Sequence, residues 1–157
     1  MKPEDPRPAL TIRRFRPGDS AEVIALWRLC GLLRPSNDPE KDIARKAKVG
    51  SHLFLVATMG DAIVGSVMAG YEGHRGWINY LAVAPSRRRV GVGQRLMEEA
   101  ERLLLAEGCP KINLQVRTSN REVLEFYEAI GFSRDDVLSL GKRLVEDVQR
   151  PTTTPRG

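Results

Sequence analysis

Cysteine, histidine and aromatic side chains are scarce in this chain of 157 residues, which has two Cys, two His and 6% Phe, Trp and Tyr. Cys30 and Cys109 are too few and too irregularly placed for a disulfide framework or a zinc cluster, so no metal is expected. Both read as small core residues in a reducing cytoplasm. No apolar run approaches the roughly 20 residues of a membrane span, and MKPEDPRPAL has no apolar signal segment. The expectation is a cytoplasmic protein without a membrane partner. A Walker A loop is absent, since no Gly-Lys-Ser/Thr occurs. Gly91-Val92-Gly93 has Leu96 where a dinucleotide fingerprint needs its third glycine.

Charge, by contrast, is plentiful: 29% of residues are charged and the net charge is +5. That balance admits nucleic acid and equally a polyanionic small molecule. The basic residues lack the interleaved aromatics of a single-strand platform, which argues against nucleic acid. The length suits a single domain over residues 10–147, with flexible tails at 1–9 and 150–157.

Leu10 to Phe15 alternates as a first strand, and Asp19 or Ser20 can cap a helix bearing Val23, Leu26, Trp27 and Cys30 on one face. Asp38 followed by Pro39 starts a second, basic helix over Glu40 to Val49. His52 to Met59 and Ala62 to Tyr71 form a hairpin across Gly60-Asp61. Trp77 to Val83 is the central strand, and the helix after it runs from Gly93 to Glu107. Lys111 to Val116 is a strand, and Asn120 caps a helix closed by Gly131. Phe132 to Leu138 and Leu140 to Val145 complete the set as two last strands. This order predicts an α+β, three-layer α/β/α fold. Its mixed, mostly antiparallel twisted sheet has about 6–7 strands, helices on both faces and a parallel pair made by a right-handed crossover.

The chemistry concentrates between Trp77 and Leu96. There an apolar strand ends at Pro85, three arginines follow, and two glycines lead into a helix. Free first-turn N–H groups and the helix dipole make such a junction an anion site, with phosphate as the natural ligand. Arg88-Arg89-Val90-Gly91-Val92-Gly93 matches the Arg/Gln-x-x-Gly-x-Gly/Ala pattern of the GNAT family of N-acetyltransferases. Asn120 to Phe132, NREVLEFYEAIGF, resembles that family's Asn-x-x-Ala-x-x-Phe/Leu-Tyr-x-x-x-Gly-Phe segment, with Val123 where Ala is usual. The likeness extends from Leu10 to Asp147. LLRPSNDPEKDIARK, GYEGHRG, GCPKINLQV and VLSLGKRL further resemble a small bacterial subgroup, the YpeA-type acetyltransferases.

The resemblance implies an acetyltransferase that uses acetyl-coenzyme A as co-substrate and a primary amine as acceptor: a small molecule, a protein N-terminus or a lysine. It implies that Leu81, Ala82 and Val83 pair with the pantetheine arm as an added strand, in a gap where two parallel strands splay apart. Val90, Gly91, Val92, Gly93, Gln94 and Arg95 wrap the pyrophosphate, with Arg88 or Arg89 supplying charge. Asn120 bonds the arm, and Tyr127, by periodicity alone a core aromatic, protonates the departing thiolate. A cysteine route is disfavoured, because neither cysteine has a spaced histidine partner.

Relatives often place a glutamate on the central strand, where this chain has Asn79 and Tyr80. Glu72 is therefore the expected base, with His74 second, although both equally suit a polar turn. Arg34, Asp38, Tyr71, Glu72 and Asn79 are expected to line the acceptor side. A silent acyl-coenzyme A sensor is the alternative function. A monomer and a homodimer are both compatible with an edge strand that is either covered or paired.

Overall fold

The structure, a computed structural model, describes residues 8–147; the expected tails at 1–9 and 150–157 lie outside the described residues except for Pro8 and Ala9. Among the described residues the chain forms β1 (Leu10–Arg14), α1 (Ser20–Leu29), α2 (Pro39–Lys46), β2 (Phe54–Met59), β3 (Ala62–Tyr71), β4 (Gly76–Val83), α3 (Val92–Ala106), β5 (Ile112–Leu114) and α4 (Arg121–Ala129). No helix of the described residues is long and apolar enough to cross a membrane. The strands stand in the order β1-β2-β3-β4-β5, antiparallel throughout except for the parallel pair β4–β5.

Local chemistry accounts for the element ends. The Asp38 carboxylate accepts from the N–H groups of Glu40 (3.0 Å) and Lys41 (3.2 Å), with Pro39 at the first helical position. Asn120 Oδ1 accepts from the N–H of Val123 at 3.3 Å and starts α4. Asp19 does something other than the expected cap. Its carboxylate takes two bonds from the Arg13 guanidinium, at 2.8 and 3.0 Å, and one from the Arg16 N–H at 2.7 Å. The Arg13 contact leads in holding the Asp19 carboxyl below its ordinary pKa.

The sheet alternates between two apolar layers because successive strand residues face opposite sides. Leu55 and Ala57 of β2 turn to Val92, Leu96, Met97, Ala100 and Leu104 of α3, with Tyr127 of α4 beside them. Phe54 and Val56 turn to Val23, Leu26 and Trp27 of α1 and Ile43 of α2. This is the expected three-layer α+β arrangement, with five strands rather than six or seven.

The two expected last strands, Phe132–Leu138 and Leu140–Val145, do not form; residues 133–147 are irregular. Consecutive charges at Arg134, Asp135 and Asp136 and a glycine at Gly141 interrupt the apolar pattern. Side chains anchor the segment instead: Asp135 to Lys111 at 2.8 Å, Ser139 to Gln115, Arg143 to Asn37 at 3.1 Å, and Asp147 to Arg45 at 2.7 and 2.8 Å. β5 is also shorter than the expected Lys111–Val116.

One irregularity sits in the central strand. Ser66 faces Ala82 and Met68 faces Asn79, so Tyr80 and Leu81 together oppose the single residue Val67. Two residues against one is a β-bulge, and Tyr80 adopts a left-handed φ of 50° there. A buried relay holds it. The Trp27 indole N–H donates to Ser66 Oγ at 2.8 Å, and Ser66 Oγ donates to the Tyr80 carbonyl at 2.9 Å. The Tyr80 ring stacks on Trp27 with centroids 3.8 Å apart, and its hydroxyl donates to Asp42 Oδ2 at 2.6 Å. Ser66→Ala strips both neighbours of their partner. The expected loss of unfolding free energy is about 2–6 kcal/mol, since each of the two orphaned polar groups costs about 1–3 kcal/mol. Urea unfolding measures it, and a loss below about 0.5 kcal/mol would contradict the relay.

Candidate active site

β4 and β5 pair over only three rows, Gly76 with Ile112, Trp77 with Asn113 and Ile78 with Leu114. Beyond Ile78 the strands part, and among the described residues Asn79 to Val83 have no strand partner on that edge. The opening is a cleft of about 1920 Å³. Its walls include Asp42 and Lys46 of α2, Trp77 to Leu81 of β4, and Asn120 and Tyr127 from the α4 side. The Tyr80 bulge falls just past the last paired row, so it turns the free edge of β4 where the cleft begins.

The chain next builds a helix start beside that opening. After Val83 it makes one 3₁₀ turn over Pro85–Arg87, and Arg89 (φ 65°) and Gly91 (φ 84°) both turn left-handed. Gly91 suits this, because a residue without Cβ adopts positive φ at little cost. α3 then starts at Val92, and its first intrahelical bond runs from the Arg95 N–H to the Gly91 carbonyl at 3.0 Å. The N–H groups of Val92, Gly93 and Gln94 precede that bond and are free to donate to a ligand.

Absent side chains seat this helix start. A Cβ on Gly65 would stand 2.9 Å from Leu96 and 3.0 Å from Val92. A Cβ on Gly93 would stand 3.2 Å from Phe126 of α4 and 3.5 Å from Val83 of β4. The start of α3 is therefore wedged between the end of β4 and α4. Arg88 Nε donates to the Val83 carbonyl at 3.4 Å, while Arg89 and Val90 are exposed around the loop. Such a cradle fits a pyrophosphate: free amides, a positive helix end and guanidinium groups.

Not every expected residue contributes its side chain. Gln94 Nε2 donates to Glu98 at 3.1 Å, and Arg95 lines a separate groove with Leu10, Thr11 and Ile12 of β1. The Arg95 N–H is spent inside the helix, so Gln94 retains a free amide and Arg95 does not. Ala82 is buried in the α1 layer, leaving Leu81 as the member of its trio that lines the cleft.

Tyr127 is 6% exposed, with Phe126 and Phe132 edge-on at centroid distances of 5.2 and 5.5 Å. No buried side-chain oxygen among the described residues lacks a partner, and the Tyr127 hydroxyl makes no protein hydrogen bond there. Its hydroxyl is therefore not sealed from solvent, and the residue lines the cleft. Burial pushes the Tyr127 phenol up from its ordinary pKa. Burial also raises Tyr80, with Asp42 adding to the effect.

The structure does not bring Glu72 or His74 to this cleft. Glu72 Oε1 accepts from the backbone N–H groups of His74 (3.1 Å) and Arg75, closing the turn before the paired end of β4. Tyr71 donates to the Gly73 carbonyl at 3.2 Å, and Asp38 is occupied as the cap of α2. Arg34 and Asn79 do line the cleft. Among the described residues no cluster of His, Cys, Asp and Glu gathers as a metal site. Asp42, Lys46 and the Trp27–Ser66–Tyr80 relay escaped the sequence reading. Their one visible signal is Ser66, a lone hydroxyl in the apolar run of β3.

Gly91→Ala is expected to cost about 1 kcal/mol in urea unfolding, because a Cβ is strained at this φ. It should also weaken inorganic pyrophosphate binding several-fold by calorimetry. Unchanged stability and unchanged binding would contradict the cradle.

Comparison with known proteins gives concordant matches. A family model described as "Acetyltransferase (GNAT) family" matches residues 21–132. Ard1 from Thermoplasma volcanium is 27% identical, with 80% of this chain and 83% of that chain covered at a TM-score of 0.69. Naa20 from Chaetomium thermophilum, solved with a bisubstrate analogue, is 29% identical, with 78% and 70% covered at a TM-score of 0.63. The ribosomal-protein-S18-alanine N-acetyltransferase from Escherichia coli shares the fold at 18% identity, with 81% and 79% covered and a TM-score of 0.69.

Proposed function

The chain belongs to the GNAT family of acetyltransferases, and on that premise we propose that it moves an acetyl group from acetyl-coenzyme A to a primary amine by direct attack on the thioester. The observation that carries this reading is the free β4 edge, Asn79 to Val83, ending beside the amide-rich start of α3. Leu81 and Val83 offer main-chain groups to an extended pantetheine arm, as a strand edge does to an added strand. Val92, Gly93 and Gln94 donate N–H bonds to the pyrophosphate, with Arg88 and Arg89 adding charge. A Leu81 N–H aimed at the thioester carbonyl stabilises the oxyanion without reorganisation. Asn120 keeps its side-chain N–H groups for the arm while its Oδ1 caps α4.

Bond changes follow from these placements. The amine nitrogen bonds to the acetyl carbon, the carbon–sulfur bond breaks, and Tyr127 donates its proton to the departing sulfur. A phenol is protonated at neutral pH even at its ordinary pKa, and burial keeps it so, so the donor is loaded; solvent returns the proton afterwards. The attacking amine must be neutral. At pH 7 about a tenth of α-amines are neutral, against roughly one lysine in 2,500. Water in the open cleft takes the amine's proton, and Glu72 can take part only through a chain of waters. Asp42, the carboxylate that α2 brings to the cleft wall, is bonded to the Tyr80 hydroxyl, and an α-amine, which needs a base least, is the favoured acceptor. The stretches resembling the YpeA-type enzymes do not specify it further.

Tyr127→Phe should lower turnover about a hundredfold or more while coenzyme A affinity is retained. Unchanged turnover would remove Tyr127 as the acid. With wild type, kcat/KM should rise with pH through the pKa of the acceptor's own amine, and Glu72→Gln should leave that pH profile unmoved. A deficit in Glu72→Gln confined to pH below 8 would instead establish Glu72 as the base.

A further inference from the structure

Lys46, the last residue of α2, lines the cleft, and its Nζ stands near Gly70, the β3 partner of Trp77. Its ammonium donates to the Ala69 carbonyl of β3. A Cβ on Gly70 would stand 3.7 Å from Lys46 Nζ and one on Gly50 would stand 3.5 Å away, so two bare glycines make the slot that the ammonium fills. An ammonium has three donors, and among the described residues Lys46 uses one and has no carboxylate within ion-pair distance. Glu107 acts on it only at a distance, and desolvation lowers its pKa. A half-buried cation without a counter-ion is unfavourable. One backbone carbonyl does not require a full charge. Lys46 lines the cleft, so its remaining donors are available to a ligand there.

We propose that the Lys46 ammonium receives a carboxylate of the acceptor, so that the substrate is a peptide N-terminus with an acidic side chain at its second or third residue. This rests on the transferase reading above. The spacing sets the class. Lys46 stands over Gly70, which faces Trp77 across the β3–β4 ladder, and the thioester end of β4 is Leu81. Leu81 lies four positions beyond Trp77 and the bulge absorbs one, which leaves about 10 Å at about 3.3 Å per residue. The α-carboxylate of a free amino acid lies one carbon from its amine and cannot span this. An extended peptide, advancing about 3.3–3.6 Å per residue, does. Trp77, 39% exposed, gives the intervening peptide an apolar floor, and the Asn79 amide can bond its backbone.

The test measures thiol release from acetyl-coenzyme A by the full chain, with free-N-terminus peptides paired as Glu or Gln at the second and third residues and with free glutamate. Wild type should prefer the Glu peptide by about tenfold or more in kcat/KM, as a charge-assisted bond implies. Lys46→Met should bring the ratio near one at unchanged coenzyme A affinity, and Lys46→Glu should favour Lys peptides. A wild type indifferent to Glu and Gln, a ratio that survives in Lys46→Met, or fastest transfer to free glutamate would each overturn the inference. The wild-type ratio decides even if a variant fails to fold. Coenzyme A binding without transfer to any acceptor would sink the transferase reading as well, an outcome distinct from transfer that ignores the carboxylate.

Discussion

The hydrogen bond from Ser66 to the Tyr80 carbonyl is the contact on which the cleft depends. A regular β4 would carry its pleat straight past Ile78, and its edge would be set for further pairing with β5. One extra residue at Tyr80 breaks that register, and the strands part. A tyrosine at φ 50° is an unfavourable conformation, and strain of this kind costs on the order of 1–3 kcal/mol. It persists because three elements converge on it: Trp27 of α1 stacks on the ring, Ser66 of β3 holds the carbonyl, and Asp42 of α2 holds the hydroxyl. The polar members of that relay are satisfied among themselves, so the low dielectric around them strengthens the arrangement.

Consequences run outward along two elements. Toward α3, β4 ends at Val83 beside Gly93, where the missing Cβ lets the helix start approach the free edge. The thioester strip and the phosphate cradle are thus consecutive stretches of one chain, and the bulge sets their relative aim. Toward α2, Asp42 ties Tyr80 to the helix that carries Lys46, so the acceptor wall and the donor strip share one anchor. Arg45 of the same helix pins Asp147, which lies at the end of the irregular 133–147 segment. The Arg45 contact leads in holding Asp147 below its ordinary carboxyl pKa. The tether is therefore intact at neutral pH and is lost only as pH falls through that lowered value.

Local signals made much of this legible in the sequence. Asp38-Pro39 and Asn120 act as the caps their chemistry suggests, and Gly60-Asp61 turns the hairpin. The arginine–glycine loop also ends where α3 begins. Features set by distant partners were not legible. The bulge depends on a Trp27–Ser66 bond across 39 positions of sequence, and nothing near Tyr80 announces a positive φ. Glu72 read as a base from its nearness to β4 in sequence. Its own turn, however, captures the carboxylate through two backbone N–H groups at the wrong end of the strand. The last two strands failed for a related reason. Apolar residues at Val137, Leu138, Leu140 and Leu144 suggest strands, but ladder pairing needs a neighbour in register, and side-chain ties hold that segment instead.

The most direct test is an amide ¹H–¹⁵N NMR titration of the full chain with coenzyme A. The account predicts that the largest shifts fall on Leu81 to Val83 and on Val92 to Gln94, with the amides of β1 and β2 little moved. Saturable binding whose shifts spare both of these stretches would contradict it.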